Sequence, residues 1–327
     1  MIISRAPFRI TLAGGGTDLP AFYKKHGGVV TSMGIDKYIY VSFKRILLEK
    51  IIKLQYMSTE IVADLNDLQH SRAREALREF GIMDSCEVAS MADLPARSGL
   101  GSSGSYLVSL INCLQEYSNS QMTKQQIADL ACHLEMDVLN EPVGKQDQFI
   151  ASYGGIHTFT ISKDGQVSAQ EINLGKADVE GFTQRCRIYY TGLQRDASKI
   201  LKSQTKNKVN FEDKMLKILD LGHQFTESLK TKQYDRYGQL LDVHWRYKKS
   251  LSNKMTNNNI DQIYSDLKDS GLILGGKIIG AGGGGFLLTY VPKRFELVDE
   301  YMHNAGLVRI DYNLDTDGVK TLVSKNE

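Results

Sequence analysis

The sequence predicts an α+β chain in two layered parts, and three observations point there. Segments of alternating or β-branched residues mix with segments of 3.6-residue apolar period, without the strict strand–helix–strand alternation of a doubly wound sheet. The 327 residues, 42% hydrophobic and 24% charged, have a globular composition, with length for two domains. Finally, 13 of the 29 glycines fall in three clusters, Gly14 to Gly16, Gly99 to Gly104 and Gly275 to Gly285, while prolines number only five. Clustered glycine without proline marks backbone that must approach a ligand closely or take positive φ.

The elements follow in order. Ile2 to Thr11 reads as extended, interrupted by Pro7. Val29 to Ser32 and Asp36 to Lys44 read as strands, the second alternating Tyr38, Tyr40 and Ser42 against Ile39, Val41 and Phe43. Asn66 to Phe80 is predicted helical from Leu68, Ala73, Leu77 and Phe80, with Gly81 as its stop. Glu87 to Leu94 is a strand ending before Pro95, and Leu107, Leu110, Ile111, Leu114 and Tyr117 trace a helical stripe after the second glycine cluster. Thr123 and Gln126 have capping-box spacing for a helix running to Asn140. Strands return at Gly155 to Ile161 and Val167 to Ile172. In the second half, a strand from Arg185 to Thr191 precedes helices at Phe211 to Lys230, Asp235 to Ser250 and Ile260 to Ser270. Strands at Gly276 to Ile279 and Gly285 to Val291 flank the third glycine run. The division into two domains, 1–178 and 179–327, is placed in the stretch Asn173 to Gln184.

Charge and cysteine usage exclude several classes of function. Forty Lys and Arg against 38 Asp and Glu leave a net +2, which argues against a nucleic-acid or membrane-surface role while allowing local pockets for small anions. Cys86, Cys113, Cys132 and Cys186 form no CxxC pair, so they are expected as reduced, buried thiols. Arg5 and Arg9 interrupt the N-terminal apolar stretch, and the uncharged run Ile278 to Pro292 is too short and glycine-rich to span a bilayer. A cytoplasmic protein with no membrane partner is expected; a homodimer is left open.

The segment Pro95-Ala96-Arg97-Ser98-Gly99-Leu100-Gly101-Ser102-Ser103-Gly104 sits between a predicted strand and a predicted helix. Glycines let backbone N–H groups turn around an anion, and the helix N-terminus adds about half a positive charge, the makings of a phosphate cradle. Gly99, Gly101 and Gly104 also match G-x-G-x-x-G, but Pro95 to Ser98 separates them from the strand and the region where a second strand should end in an acid reads as helix. A dinucleotide-binding turn is rejected, and an NAD-dependent oxidoreductase is the remote option. Neither a P-loop signature nor the protein-kinase H-R-D and D-F-G signatures occur.

Together, Ala6-Pro7-Phe8-Arg9 with Gly14-Gly15-Gly16-Thr17-Asp18, the segment Pro95 to Gly104, and Gly280 to Gly285 resemble the three ordered motifs of the GHMP kinases, over nearly the whole chain. Gly14 to Pro20, Gly144-Lys145-Gln146-Asp147-Gln148, Tyr153-Gly154-Gly155 and Thr191 to Arg195 look most like the branch that phosphorylates the anomeric hydroxyl of D-glycero-D-manno-heptose 7-phosphate to the 1,7-bisphosphate. The resemblance implies a ribosomal-protein-S5-like N-terminal domain, a ferredoxin-like C-terminal domain, and a site between them using ATP and Mg²⁺. It also points to a place in nucleotide-activated heptose synthesis.

Phosphoryl transfer chiefly asks a protein to position groups and neutralise charge. As the resemblance implies, Gly99, Leu100, Gly101, Ser102, Ser103 and Gly104 would hold the ATP phosphates, and Ser103 and Glu135 the Mg²⁺. Glu135 is expected to point off the core face toward the loop. Asp147 would be the general base and Arg9 would steady the transferring phosphoryl group. Thr17 and Asp18 would bind sugar hydroxyls, Gly282 and Gly283 would let the backbone approach the substrate, and Arg195 and Lys199 would take the 7-phosphate. Gly104, where the family more often has Ala, is expected to be a harmless exchange. His244, Trp245 and Arg246 read as helix packing and surface. A kinase of an unphosphorylated fucose- or galactose-type sugar and a non-catalytic sensor on the same fold are the alternatives; the joint presence of Asp147, Glu135, Ser103 and Arg9 argues against the sensor.

Overall fold

A computed structural model describes residues 1–193, 211–252 and 254–324. Two antiparallel-rich sheets organise them. The first has the strand order β12-β1-β2-β5-β3-β4, with β6 and β7 continuing from the other half of β2. Its strands are β1 (Ile2–Ala13), β2 (Gly28–Arg45), β3 (Ile52–Gln55), β4 (Thr59–Val62), β5 (Cys86–Ala92), β6 (Ile156–Ile161), β7 (Val167–Glu171) and β12 (Lys320–Val323). The second sheet, in the order β11-β8-β10-β9, contains β8 (Cys186–Tyr190), β9 (Gly275–Ile278), β10 (Phe286–Tyr290) and β11 (Val308–Ile310).

The two predicted strands between Val29 and Lys44 are one continuous β2, which pairs with β6 through Gly28 to Met33 and with β5 through Ile39 to Arg45. Pro7 does not break β1. Lacking an N–H, it sits at a bulge where pairing jumps from Pro7–Tyr38 to Phe8–Ile35 and leaves Asp36 and Lys37 over. The displaced Asp36 is used elsewhere: its carboxylate accepts from the Asn313 N–H, at 2.9 Å, and its own N–H donates to the Asn313 carbonyl.

The helices are α1 (Pro20–His26), α2 (Ser71–Glu79), α3 (Ser102–Tyr117), α4 (Lys124–His133), α5 (Gln146–Tyr153), α6 (Lys176–Arg185), α7 (Phe211–Lys230), α8 (Tyr234–Lys249), α9 (Asn258–Asp269) and α10 (Phe295–Asn304). The predicted helix from Asn66 is shorter because the Glu60 carboxylate takes the N–H groups of Gln69 and His70; α2 then starts afresh, with His70 Nδ1 accepting from Ala73 N. Thr123 and Gln126 form the expected capping box of α4. That helix ends at His133, and Leu134–Val138 continue as a π-type turn, with Leu139 N donating to Leu134 O.

Between the first sheet and helices α2 to α4 lies a core including Val41, Phe43, Leu77, Val88, Leu107, Leu110 and Leu114. A second core runs across both halves of the chain, joining Phe8, Ile10 and Leu12 of β1 to Ile188, Phe225, Tyr237, Leu241 and Phe286. The expected division after residue 178 falls inside α6, and β12 returns to the first sheet beside β1. All four cysteines are buried and free. No helix among the described residues is long and apolar enough to cross a membrane.

Candidate active site

Three glycine loops converge where the two sheets meet: loop 1 (Gly14 to Asp18), loop 2 (Pro95 to Gly101) and loop 3 (Gly280 to Gly285). Loop 2 ends at Gly101, whose left-handed φ of +83° turns the chain into α3, so the N-terminal turn of that helix presents Ser102 and Ser103. The loop is anchored at both ends: Arg9 N donates to Leu100 O at 3.0 Å, and Ser105 Oγ donates to Pro7 O at 2.7 Å. Loop 3 lies against it. A Cβ on Gly280 would stand 2.7 Å from Gly99 O, and one on Gly285, at φ +88°, would stand 2.0 Å from Ser98 O. Only glycine permits that backbone-to-backbone approach.

Arg9 and Asp147 occupy the cleft beside loop 2. The Arg9 Nε and one terminal nitrogen both reach Asp147 Oδ1 at 2.8 Å, and the other terminal nitrogen donates to Gly99 O at 2.5 Å. The Arg9 side chain is 4% exposed and that of Asp147 25%, so the carboxylate is the part that solvent and ligands reach. Its Oδ2 faces loop 2, 3.3 Å from where a Gly101 Cβ would lie.

Gly104 explains how Asp147 comes so near. A Cβ at residue 104 would sit 2.9 Å from Asp147 Cβ and 3.1 Å from its backbone carbon. Alanine here would crowd that contact: the missing methyl lets α5 lie against α3 with Asp147 at the loop.

Loop 1 is held by its own side chains. Thr17 Oγ1 bonds to the Gly14 and Val29 carbonyls, both at 2.9 Å, and accepts from Val29 N. Fully buried and committed to backbone, Thr17 is not available as the sugar ligand expected of it. Asp18 accepts from Gly16 N and Gln146 N, each at 3.1 Å, tying loop 1 to the start of α5. Burial pushes its carboxyl above the ordinary value, against those two N–H bonds. Gly282 and Gly283 back onto Met255, with Gly283 N donating to Met255 O at 2.8 Å, and Gly280 is the residue of this loop that lies on loop 2. Arg195 and Lys199 lie outside the described residues.

Glu135 is buried against the start of α5, on the side of the cleft, rather than standing free toward the loop. The π-type turn rotates it inward, fully buried, where Arg72 Nε donates to Oε1 at 2.6 Å and Gln148 Nε2 to Oε2 at 2.5 Å. Gln148 follows Asp147, so Glu135 is one residue from the cleft. Its carboxylate keeps spare lone pairs, and Gln148 Oε1 beside it is buried with no hydrogen-bond partner. Hard oxygens of this kind suit the expected Mg²⁺, and the Ser103 hydroxyl in the first turn of α3 is another.

Sequence reasoning missed two cations here. Arg72 was read only as part of a helix. Lys248, near the end of α8, is buried at the same junction, and its Nζ donates to Gly280 O at 2.5 Å. Its position one turn after His244 and two after Leu241, on the buried face, was the available signal.

Residues 69–155 match the family model described as GHMP kinases N terminal domain. The chain is 28% identical over 336 aligned positions to a D-glycero-alpha-D-manno-heptose 7-phosphate kinase of Campylobacter jejuni, covering 98% of both. It is 25% identical to an L-fucokinase/L-fucose-1-P guanylyltransferase of Bacteroides fragilis, matching 88% of this chain and 34% of that longer protein. Among solved structures, a D-glycero-D-manno-heptose 1-phosphate kinase from Bacteroides thetaiotaomicron superposes with a TM-score of 0.81 at 20% identity, covering 99% of each chain. The chain has the GHMP kinase fold, and residues 69–155 match the model of that family's N-terminal domain.

Proposed function

We propose that this chain of GHMP kinase fold is an ATP-dependent phosphotransferase acting on a sugar hydroxyl, and more narrowly that it phosphorylates the anomeric hydroxyl of D-glycero-D-manno-heptose 7-phosphate. The observation that carries the reading is the Arg9–Asp147 pair at the N-terminal turn of α3, beside a glycine loop with its N–H groups available to phosphate. The Campylobacter relative, similar over almost its whole length, supports the heptose substrate.

In this reading Asp147 Oδ2 accepts the proton of the attacking hydroxyl while Arg9 holds Oδ1. The anomeric hydroxyl is more acidic than an ordinary alcohol, so Asp147 orients it and offsets developing charge as much as it removes a proton. The α3 N-terminus and loop 2 bind the donor phosphates. Ser103 and Glu135 would hold Mg²⁺, which when bound neutralises phosphate charge. Arg72 and Gln148 fix the Glu135 carboxylate for that task. Asp18 would bind sugar hydroxyls through the lone pairs that its bonds from Gly16 and Gln146 leave free.

The test is Mg²⁺-dependent ADP release over heptose, hexose and fucose sugars, with and without terminal phosphates, for the wild type and Asp147→Asn. Turnover confined to heptose 7-phosphate, with kcat reduced about 10²–10⁴-fold in the variant, is the expected result. The fucokinase relative favours a second reading, a kinase of an unphosphorylated sugar. Turnover of free fucose or galactose would replace the first reading with that one, and ATP binding without turnover on any sugar would indicate a sensor.

A further inference from the structure

Behind the cleft, three basic side chains are buried together without a carboxylate partner among the described residues. Lys248 is 6% exposed and Lys277 of β9 is 1% exposed; neither has an ion-pair partner within 4 Å among the described residues. Among those residues the Lys248 ammonium donates to Gly280 O, and that of Lys277 to Leu12 O at 3.0 Å. His244, one turn before Lys248, is fully buried with both ring nitrogens unpartnered. Burying an ammonium is costly unless a counter-charge meets it. Lys248, Lys277 and Arg9 bring basic groups to this junction, while burial holds His244 well below the usual imidazole range and so toward its neutral form; Asp18 is the acid that faces Lys248, and Asp147 already holds Arg9.

The position of Lys248 says where the counter-charge comes from. Its ammonium grips the Gly280 peptide, Gly280 lies on Gly99, and the Gly99 carbonyl is gripped in turn by Arg9. Lys248 and Arg9 thus stand on adjoining peptides of loops 3 and 2, which pack directly on each other beside the cleft. We infer that Lys248 is a phosphate-binding residue of this cleft, its ammonium meeting an oxygen of a phosphate on the bound reactants alongside Arg9. The inference rests on the kinase reading above for the identity of those reactants. The source is either the terminal phosphoryl group of the nucleotide or the phosphate carried by the sugar, and the same ammonium chemistry serves both. Burial supports the assignment, because it lowers the Lys248 pKa to about 8, a cost that a bound dianion reverses.

Two variants test this, Lys248→Met and Lys248→Arg, each checked by thermal melting against the wild type. Calorimetric titration of each protein with ADP and with a non-hydrolysable ATP analogue reads the nucleotide source. Steady-state KM for heptose 7-phosphate reads the sugar source. A loss of tenfold or more in Lys248→Met, recovered at least in part by Lys248→Arg, is expected in one arm: analogue but not ADP for the terminal phosphoryl, or sugar phosphate alone for the acceptor. Analogue binding, KM and kcat all within threefold of wild type in a folded Lys248→Met protein would overturn the inference. If Lys248→Met does not fold, Lys248→Gln takes its place under the same criteria. Should the wild type turn over no sugar phosphate, the kinase reading fails while the nucleotide arm still decides whether Lys248 meets phosphate.

Discussion

A single guanidinium sets the chemistry of the cleft. Arg9 uses all three nitrogens, two on Asp147 Oδ1 and one on Gly99 O, a fork that an ammonium cannot reproduce. Arg9→Lys keeps the charge, yet kcat is expected to fall about tenfold or more, with a smaller change in KM for ATP, in steady-state assays. Gly104→Ala makes the opposite comparison. Alanine improves helix propensity by about 1 kcal/mol, so melting temperature is expected to hold or rise, while displacement of Asp147 lowers kcat at least about tenfold. Equal kcat in that variant would show that α5 can shift without consequence. Lys248 adds a pH signature. Its ammonium is neutralised as pH rises through about 8, whereas its ordinary value is 10.5, so kcat/KM is expected to fall above pH 8 in the wild type and to extend to higher pH in Lys248→Arg. The groups facing it are Arg9, Asp18, His244 and Lys277. Residues marked by glycine motifs, Arg9, Asp147 and Ser103, were legible in the sequence because close backbone approach limits what each loop tolerates. Lys248 and Arg72 were not, since a lysine in the last turn of a helix and an arginine in the first are ordinary for exposed ends.

Elements differ in how far local sequence dictates them. The helices with long apolar stripes, α3 and α7, form where periodicity places them. Short pieces such as β3, β4 and α1 carry too few residues for a period, and β11 and β12 become strands only through partners distant in sequence. The burial of Glu135 is hidden for a related reason: a π-type turn inserts into a continuous apolar stripe, so the periodicity stays convincing while the side chain turns in against Gln148. Loop 3 offers the clearest test at this scale. Gly285→Ala combines a left-handed φ with a Cβ 2.0 Å from Ser98 O, and a loss of about 3 kcal/mol in denaturant unfolding is expected, with ATP affinity falling as loop 2 is pushed aside. Unchanged stability would mean that loops 2 and 3 part more easily than their packing implies.

The molecule as a whole is less divided than its sequence suggests. A core from Phe8 to Phe286 unites residues of both halves, and the chain crosses back at its far end. There Asp315 O accepts from Gly155 N, Tyr38 donates to the Asp315 carboxylate, and Asn112 bridges Ser4 and Thr321. Ending the protein at Asp311 removes all of these together with β12. A fall in melting temperature of about 5 °C or more is expected by scanning calorimetry, and an undiminished value would show the return strand to be dispensable. The pairing of β1 with β12 also has a consequence during synthesis. Within this chain β1 is made long before its partner β12, so at roughly 5–20 residues per second the outer edge of β1 stays unsealed for about 15–65 s. Nascent chains therefore carry an open strand until β12 arrives, and their yield should depend on chaperones that shield it.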